Sequence, residues 1–540
     1  MTQAMTARMV ESDIRTGAGE PQVVACRGNA FVTRVRLVGG RVDEAWSTGR
    51  MMRNMDVLLK GKLDAKGRPD FVHQAHCLCN DGHALAAIRA VENLAGVTLP
   101  HCAVLVRRLV QSLRCIQEHL LHVYQFHFSD WVSLDRALRA DTAEAAVLAG
   151  PLGQDADHFR LIQDRLRLVA ESRESRLPES AYEGSDAWHL LLYAHSLESI
   201  RAGASIQAAL ALLECGPKGF KAYRIGGLPD DLDLGCGILE QLRGALADCR
   251  DFICTVFPAD MARLAGMYPT WSGIGGGGAF LTWDDVAGSG LVAPTAGTQS
   301  WRSAVPDAGA VREERNPDWS LPDRQRYRLV ANGDDPSFLW GEGAYFWLPA
   351  PRHGTAACEV GPLARVMGGW LLGDQAISLH LQNMLDTSGL TSGAMNSTMG
   401  RLVSRAVESA ALVDSVDGWL DELERTLATE KIRSVDFSLP ASGIGVGRVE
   451  VPRGTLAHTI RWGEGRILDH DYLIPSLWNF STRDTGGVRG PLERALLGTS
   501  VADANHPVEI LRTLHELDPC NGCHVVVEDR DTGRITLTLA

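Results

Sequence analysis

Near the C-terminus the sequence reads Asp518-Pro519-Cys520-Asn521-Gly522-Cys523, and near the N-terminus it reads His76-Cys77-Leu78-Cys79-Asn80-Asp81-Gly82-His83. Two thiolates spaced Cys-x-x-Cys can hold a metal ion from one turn, and the N-terminal stretch offers further nitrogen and sulfur donors. Because about four such donors complete a site, the two stretches indicate one metal site built from both ends of the chain. The N-terminal half is irregular, since it reads His-x-x-Cys with Cys77 inside it.

The composition is that of an ordinary globular protein. The chain has 540 residues, of which 45% are hydrophobic and 22% are charged, so it can bury a large core. A formal net charge of -13 argues against a nucleic-acid partner, because phosphate binding needs a basic face. Two termini that meet at one site favour a single interlocked body over residues 23–540, preceded by a flexible segment over residues 1–22.

Cysteine usage and the N-terminus indicate the compartment. The chain has 12 cysteines, and several lie in apolar helical contexts, as Cys115 and Cys254 do. This distribution is typical of the reduced thiols of a cytoplasmic protein. The first 22 residues do not have the pattern of a signal peptide, and no run of about 18 apolar residues follows. We therefore expect a cytoplasmic protein without a membrane span, associated with a membrane only through a partner subunit.

Hydrophobic periodicity predicts an α+β fold that is mainly α, with long central helices and peripheral antiparallel sheets. Residues 31–38 alternate apolar and polar before Gly39-Gly40, which predicts a hairpin. An irregular, sheet-containing insertion is predicted at 267–350; its glycine run, 273–278, lacks the context of a phosphate-binding loop and predicts a tight turn against aromatic rings. The remaining predictions are helices at 83–95, 104–131, 142–173, 186–216, 237–266, 358–386 and 397–429, strands within 432–475, a loop at 476–506 and a helix at 507–516.

Matching stretches along most of the chain resemble the large, catalytic subunit of nickel–iron hydrogenases, especially the uptake type. The resemblance runs from about residue 23 to the C-terminus. Besides the two cysteine stretches, it is carried by residues 49–61, 83–92, 119–131, 223–229, 273–280, 359–365, 397–401, 452–454, 489–491 and 511–513. It implies the fold of that subunit and a nickel–iron centre whose iron carries cyanide and carbon monoxide, Fe(CN)2(CO).

The resemblance also implies a set of metal ligands. Cys79, Cys520 and Cys523 fall on three of the four cysteine positions that hold nickel and iron in the family, and His76 falls on the fourth. A neutral imidazole can bind nickel, but it leaves the site one negative charge short. The implied centre is therefore altered on its nickel side, or holds iron only. Cys77 is an alternative ligand, and it could equally be a buried apolar residue.

Residues around the metals match in part. Pro452-Arg453 matches the segment that places a guanidinium over the metals, and Asp518 matches the carboxylate before the C-terminal cysteines. Glu118 stands where a neighbouring aspartate is usual. His83 matches a histidine whose N–H tunes a bridging thiolate. The alternatives are an ordinary ion pair between Arg453 and Glu118, and a helix-start histidine at position 83.

Two further positions depart from the family pattern. Arg27 stands where the family has a glutamate that carries protons away, and a guanidinium cannot act as a base near neutral pH. Val526 stands where a histidine binds a structural metal after a short tail is removed by proteolysis. Here the tail stays, or its cleavage uses another cue. A magnesium or other structural ion near the C-terminus is still implied, with Asp56 as an acidic partner.

Three functions fit these residues. The first is an oxidoreductase: a divergent hydrogenase-like large subunit that passes electrons to an iron–sulfur small subunit in a heterodimer or higher oligomer, after assembly by maturation chaperones. His76 and Arg27 argue against hydrogen as its substrate. The second is a non-catalytic scaffold for assembly of the Fe(CN)2(CO) unit, or a sensor or pseudoenzyme. The third is a structural zinc site of three cysteines and His76.

Overall fold

The structure is a computed structural model. It describes residues 31–49, 80–150, 154–170, 178–214, 223–283, 290–294, 301–304, 311–314, 350–483, 487–520 and 523–539. The fold is mainly helical with small sheets, as predicted from the sequence. Within these ranges, no helix combines the length and the apolarity needed to cross a membrane. The division into an N-terminal segment, one body and an insertion stays a prediction.

Helices form the centre of the molecule. The longest is α11, whose first 16 residues, 398–413, are all buried, and it packs against α2, which carries apolar residues at three- and four-residue steps. The helices are α1 Asn80–Ala95, α2 His101–Leu121, α3 Leu134–Arg139, α4 Thr142–Ala149, α5 Ala156–Ala170, α6 Asp186–Glu214, α7 Cys236–Asp251, α8 Phe257–Met267, α9 Pro362–Leu372, α10 Gln375–Ser388, α11 Thr398–Leu427, α12 Pro475–Asn479, α13 Pro491–Leu496 and α14 Val508–Glu516.

Short strands surround this helical centre. They are β1 Phe31–Val38, β2 Arg41–Gly49, β3 Ala279–Thr282, β4 Gly290–Pro294, β5 Trp301–Ala304, β6 Val311–Glu314, β7 Ala350–His353, β8 Cys358–Glu359, β9 Ser442–Val451, β10 Gly454–Gly463, β11 Arg466–Leu473, β12 Cys523–Asp529 and β13 Arg534–Leu539. Within the described ranges these strands form four sheets, with the strand orders β13-β12-β1-β2, β11-β10-β9, β5-β4-β3-β8 and β6-β7.

The first sheet joins the two ends of the chain. The N-terminal hairpin β1–β2 pairs with the C-terminal hairpin β12–β13 through parallel pairing of β1 with β12, and Phe31 is the register partner of Cys523. Phe31 and Cys523 are both buried in the hydrophobic cluster that α13 and α14 cover. The start of β1 therefore lies beside the last cysteine of the C-terminal motif.

Two glycines on β9 let α1 lie directly against the sheet. A Cβ at Gly447 would lie 1.9 Å from the carbonyl oxygen of Ala86 and 2.4 Å from the backbone nitrogen of Ala90, and one at Gly445 would lie 2.0 Å from the carbonyl oxygen of Ala90. Backbone atoms of a packed helix cannot yield as the end of a flexible side chain can. The glycines therefore allow the close approach that sets the position of α1, the helix that carries His83.

We expect Gly447→Ala to destabilise the fold by about 3 kcal/mol or more, because either α1 or β9 must shift to admit the methyl group. Gly418→Ala is the matched control. Gly418 lies inside α11 and has open space where a Cβ would be, so its substitution should be neutral or stabilising by up to about 1 kcal/mol. Chemical denaturation of both variants measures the difference. Equal stability of the two variants would contradict this account of the packing.

Several sequence predictions differ from the structure. The predicted helix at 142–173 is wrong as one element, because α4 ends at Ala149 and the next residue, Gly150, has a φ of 62°. The predicted helix at 358–386 is interrupted at Gly373, whose φ is 81°. The predicted loop at 476–506 contains most of α12 and all of α13. The glycine run packs against polar and charged side chains as well as an aromatic ring: a Cβ at Gly277 would lie 2.5 Å from Oε2 of Glu359 and 3.5 Å from Cζ of Phe280, and one at Gly278 would lie 1.2 Å from Nη1 of Arg494.

Candidate metal centre

The C-terminal motif turns sharply between α14 and β12. Asp518 has a φ of 52°, a left-handed conformation that an aspartate tolerates better than most residues. The backbone N–H of Cys520 donates to the hydroxyl of Ser476, at 3.1 Å. Burial raises the pKa of the Cys520 thiol, and it raises that of Cys523 well above the ordinary value, with the charge of Cys520 adding to the effect. A half-buried and a buried thiol of this kind suit a bound cation, which would hold them as thiolates.

A tight hairpin presents Arg453. Strand β9 ends at Val451 and β10 begins at Gly454, so Pro452 and Arg453 are the two residues of the turn. The buried guanidinium of Arg365 fixes this turn, because it donates to the carbonyl oxygens of Val451 and Pro452, each at 2.9 Å. The direction of Arg453 is therefore set by a charged side chain in the core.

The guanidinium of Arg453 lies between two carboxylates. Its Nη1 donates to Oε2 of Glu118 at 2.8 Å, and its Nε lies 3.0 Å from Oδ1 of Asp518. Burial by itself would raise the pKa of Asp518, but Arg453 and the His122 ring outweigh burial and hold that pKa well below its usual range. For Glu118 burial outweighs Arg453, so its pKa is raised. Asp518 is thus held charged, while Glu118 takes up a proton more readily. Pairs of acids whose surroundings separate their pKa values in this way typically provide one fixed charge and one base.

A second layer of buried charges supports Asp518. His122 begins a π-helical turn that follows α2, and its Nδ1 lies 3.5 Å from Oδ2 of Asp518 while its Nε2 lies 3.5 Å from Oε2 of Glu516. Arg405 pairs with Glu516, and its Nη2 lies 4.0 Å from Oδ2 of Asp518. Sequence reasoning missed these residues. Their spacing in the sequence could have indicated them: His122 follows Glu118 by one helical turn, and Glu516 precedes Asp518 by two residues.

A third cluster lies behind Arg365. Arg365 contacts Glu408 through Nε at 2.5 Å and Glu450 through Nη1 at 3.1 Å, and Nε2 of His119 lies 2.7 Å from Oε2 of Glu408. Burial, opposed mainly by Arg365, gives the two carboxylates different acidities: the pKa of Glu408 is lowered to about 2, and that of Glu450 is raised to about 7. The guanidinium of Arg365 therefore offsets the cost of burying a charge at Glu408 but not at Glu450.

Glu450 should make stability depend on pH. Its folded-state pKa of about 7 exceeds the ordinary 4.5, so the folded chain binds more protons, and stability is lost as the pH rises from about 4.5 to about 7. In the parent protein the free energy of unfolding should fall by about 3 kcal/mol across that range, and we expect this fall to be absent from Glu450→Gln. Urea denaturation at pH 5 and pH 8 measures it, with Glu464→Gln, at an exposed side chain, as the control. If the free energies of unfolding of the variant and the parent differed by the same amount at both pH values, this would contradict the raised pKa of Glu450.

The N-terminal half of the predicted site is only partly described. His83 is buried in the first turn of α1, and its Nδ1 lies 2.8 Å from Nε2 of His458. The predicted ligands His76 and Cys79, the alternative Cys77, and the positions Arg27 and Asp56 lie outside the described residues. Val526 lies within β12, paired with Arg34 of β1 and Leu537 of β13. Among the predicted site residues, the structure thus brings together Glu118, Arg453 and Asp518 on the side of the C-terminal cysteines.

Comparison with known proteins decides the family. The sequence profile described as nickel-dependent hydrogenase matches residues 53–526. The chain belongs to this family. It is 29% identical to the uptake hydrogenase large subunit of Rhodobacter capsulatus over 92% of this chain and 93% of the relative, and 30% identical to that of Afipia carboxidovorans over 90% and 91%. The Hydrogenase-2 large chain of Escherichia coli K12 is 26% identical over 92% and 95%.

Solved structures agree on the fold of this hydrogenase-family chain. The Ni–Fe–Se hydrogenase of D. vulgaris Hildenborough, in its as-isolated oxidised state, superposes with a TM-score of 0.70 at 23% identity, over 91% of this chain and 98% of that one. The reduced, active Ni–Fe–Se hydrogenase of Desulfomicrobium baculatum gives 0.67 at 22% identity, over 90% and 95%. The resemblance to hydrogenase large subunits and the mainly helical α+β fold class predicted from the sequence are both confirmed.

Proposed function

We propose that this chain is the metal-holding large subunit of a hydrogenase-like redox enzyme that passes electrons to an iron–sulfur small subunit. The observation that carries the proposal is the Arg453 guanidinium held between Glu118 and Asp518, close in sequence to the half-buried Cys520 and the buried Cys523. A fixed guanidinium with one charged and one protonatable carboxylate suits a site where a proton is released beside a metal. The curated relatives named as uptake hydrogenase large subunits support the same reading.

Cys520, Cys523, Cys79 and His76 would hold the metals. We assign Cys523 and Cys79 to iron, and Cys520 and His76 to nickel. A nickel–iron centre with Fe(CN)2(CO) would supply the redox and Lewis-acid chemistry when bound. The raised pKa values of Cys520 and Cys523 fit this role, because a metal ion would offset the cost of two buried thiolates.

The protein itself would receive and hold the proton. Glu118 has a raised pKa and contacts Arg453, so we assign it as the base. Asp518 stays ionised and keeps Arg453 in place. Arg27 cannot take this role, since its guanidinium is always charged.

The C-terminal tail is expected to stay on the mature protein. Residues beyond Val526 complete β12 and form β13, and the turn between these strands is tied to the N-terminal hairpin: Asp531 accepts from the N–H of Gly39 at 2.6 Å, and the N–H of Arg530 donates to Leu37 at 3.1 Å. Removing these residues would strip the pairing from one side of β12. Intact mass spectrometry of protein made with its maturation chaperones should give a mass that includes residues 527–540. A mass that ends near residue 526 would contradict this prediction.

Hydrogen-dependent dye reduction by the assembled large and small subunits tests the proposed function. A rate well above that of metal-stripped protein supports a hydrogenase. No hydrogen-dependent rate, in protein that carries iron with cyanide and carbonyl, would overturn hydrogen as substrate and favour the assembly scaffold or a sensor. His76 and Arg27 make this a demanding test, because they remove a thiolate and a carboxylate at which protons could be received.

A further inference from the structure

Two histidines and an aspartate meet beside the end of α14. Nδ1 of His515 lies 2.6 Å from Oδ2 of Asp130, and Nδ1 of His127 lies 3.9 Å from the same oxygen. The rings of His127 and His515 are stacked, with centroids 4.2 Å apart and an interplanar angle of 27°. One ligand atom from each of the three side chains lies within 4.8 Å of the other two. Two imidazole rings thus share one carboxylate.

An ion pair between His515 and Asp130 explains only part of this arrangement. Among the described residues, neither ring nitrogen of His127 has a hydrogen-bond partner, although its ring is packed against that of His515. Burial, together with His515 and His122, holds the pKa of His127 well below its ordinary value, so the ring is neutral near pH 7. A neutral imidazole carries a lone pair, and this is the form in which histidine binds a metal ion.

The separations between these ligand atoms are close to those around a small cation. Ligand atoms lie about 2.0 to 2.2 Å from a zinc ion and therefore roughly 3 Å from one another. The observed 2.6 Å and 3.9 Å lie on either side of that value. Two stacked rings cannot both direct a lone pair at one ion, so the His127 ring has to turn. Its side chain is the most exposed of the three, at 20%, which leaves room for that turn.

The backbone around the three side chains is fixed. The N–H of His127 donates to the carbonyl oxygen of His122 at 3.0 Å, which closes the π-helical turn after α2. Asp130 ends the 3₁₀ turn Phe128–Asp130, and its carbonyl oxygen accepts from Nε of Arg512 at 2.7 Å. Arg512 lies on α14, as His515 does. It therefore ties the backbone of Asp130 to α14 and leaves the carboxylate to the histidines.

We propose that His127, Asp130 and His515 form a separate metal site, which binds a divalent transition-metal ion such as zinc. Two imidazoles and one carboxylate suit such an ion, whereas magnesium and calcium prefer oxygen ligands. The site does not depend on the proposed function, and it shares no residue with the C-terminal ion that the family resemblance implies. A bound ion would tie the end of α14, five residues before Cys520, to the turn that follows α2.

Zinc binding by the full-length chain, made without maturation chaperones, tests the site. After dialysis against zinc, metal analysis should find one more ion in the parent than in His127→Phe, which keeps a ring against His515 but has no lone pair. Loss of a residue that only supports a metal ligand costs about 10- to 100-fold in affinity, so the affinity for this ion should fall by at least about 100-fold. Asp130→Asn should lose the same ion, because its amide carries no charge.

His380→Phe is the matched control. Nε2 of His380 lies 2.7 Å from Oδ2 of Asp414, so this pair also joins an imidazole to a carboxylate, but it has no second histidine. Its zinc content should equal that of the parent. Without zinc, all three variants should give the far-ultraviolet circular dichroism of the parent, which separates loss of a ligand from loss of the fold.

Crystals soaked in zinc locate the ion, and we expect anomalous density between the three side chains. Equal zinc content and affinity in the parent and His127→Phe would overturn the inference. Anomalous density confined to the cysteine motifs would also overturn it, while the proposed metal centre would stand. If zinc fills this site but protein made with its chaperones never shows cyanide and carbonyl bands, the inference holds and the proposed function fails.

Discussion

Cys523→Ser is expected to lower iron in the purified protein from about one equivalent to background, together with any cyanide and carbonyl bands. Cys523 is 1% exposed at the start of β12 and is assigned to iron. Loss of a residue that only supports a metal ligand costs about 10- to 100-fold in affinity, so the loss of a ligand should cost more. Metal analysis of protein made with its maturation chaperones measures the effect.

Cys358→Ser is the matched control for this substitution. Cys358 is also fully buried, but it lies on β8, and its thiol contacts the carbonyl oxygen of Ala356 at 3.7 Å. A serine hydroxyl can donate to the same oxygen, so metal content should stay at the parent level. Iron retained in Cys523→Ser, or lost equally from both variants, would contradict the assignment of Cys523 as a ligand.

Glu118→Gln is expected to lower hydrogen-dependent dye reduction by about 10²- to 10⁴-fold, which is the usual contribution of a positioned general base. The amide oxygen can still accept from Arg453, but it cannot take a proton. Nickel, iron and infrared bands should match those of the parent. The parent rate should fall at low pH as Glu118 becomes protonated, and because its pKa is raised, this fall begins at a higher pH than for an ordinary glutamate.

Glu424→Gln gives the same chemical change at an exposed position. Glu424 lies on α11 and pairs with Arg243 at 3.2 Å on the surface, where an ion pair contributes at most about 1 kcal/mol. Its activity and its pH profile should match those of the parent. A Glu118→Gln variant that kept activity within a few-fold of the parent would remove Glu118 from the proposed proton route.

The sequence predicted the family and the class of fold, because the cysteine motifs and the segment Pro452-Arg453 are local patterns that a linear reading can find. It also named Glu118, Arg453 and Asp518, which the structure brings together in one cluster. It did not predict His122. That residue reaches Asp518 through a π-helical turn, and such a turn has no recognisable local pattern.

The charged side chains that hold the Pro452–Arg453 turn could not be predicted either, because their contacts join elements that are distant in the sequence. Arg365 fixes the Pro452–Arg453 turn from α9 while its own partner Glu408 lies on α11, so the contact depends on how distant elements pack. The same holds for the register of Phe31 with Cys523, which pairs strands from opposite ends of the chain. Gly150 and Gly373, which directly follow two helices, have positive φ values, a backbone conformation that apolar periodicity alone does not reveal.

The altered residues bear on function more than on fold. In the proposed centre, His76 would stand in place of a thiolate and Arg27 in place of a carboxylate, so both would make the metal pocket less anionic. Val526 would leave β12 without the histidine that the family resemblance implies there. The cluster of Arg453, Glu118 and Asp518 shows no such loss, since its ion pairs are complete. We therefore propose a centre that is altered at His76 and Arg27 and that keeps the ion pairs beside Cys520.

Metal analysis combined with infrared spectroscopy tests the central claim most directly. The claim is that both ends of the chain hold one hydrogenase-type centre. Protein purified with its small subunit should contain iron with cyanide and carbonyl bands, and nickel in addition if His76 serves as a ligand. Iron with these bands but no nickel would restrict the centre to iron and favour the scaffold. Zinc alone, with no cyanide or carbonyl band, would contradict the account and leave a structural zinc site.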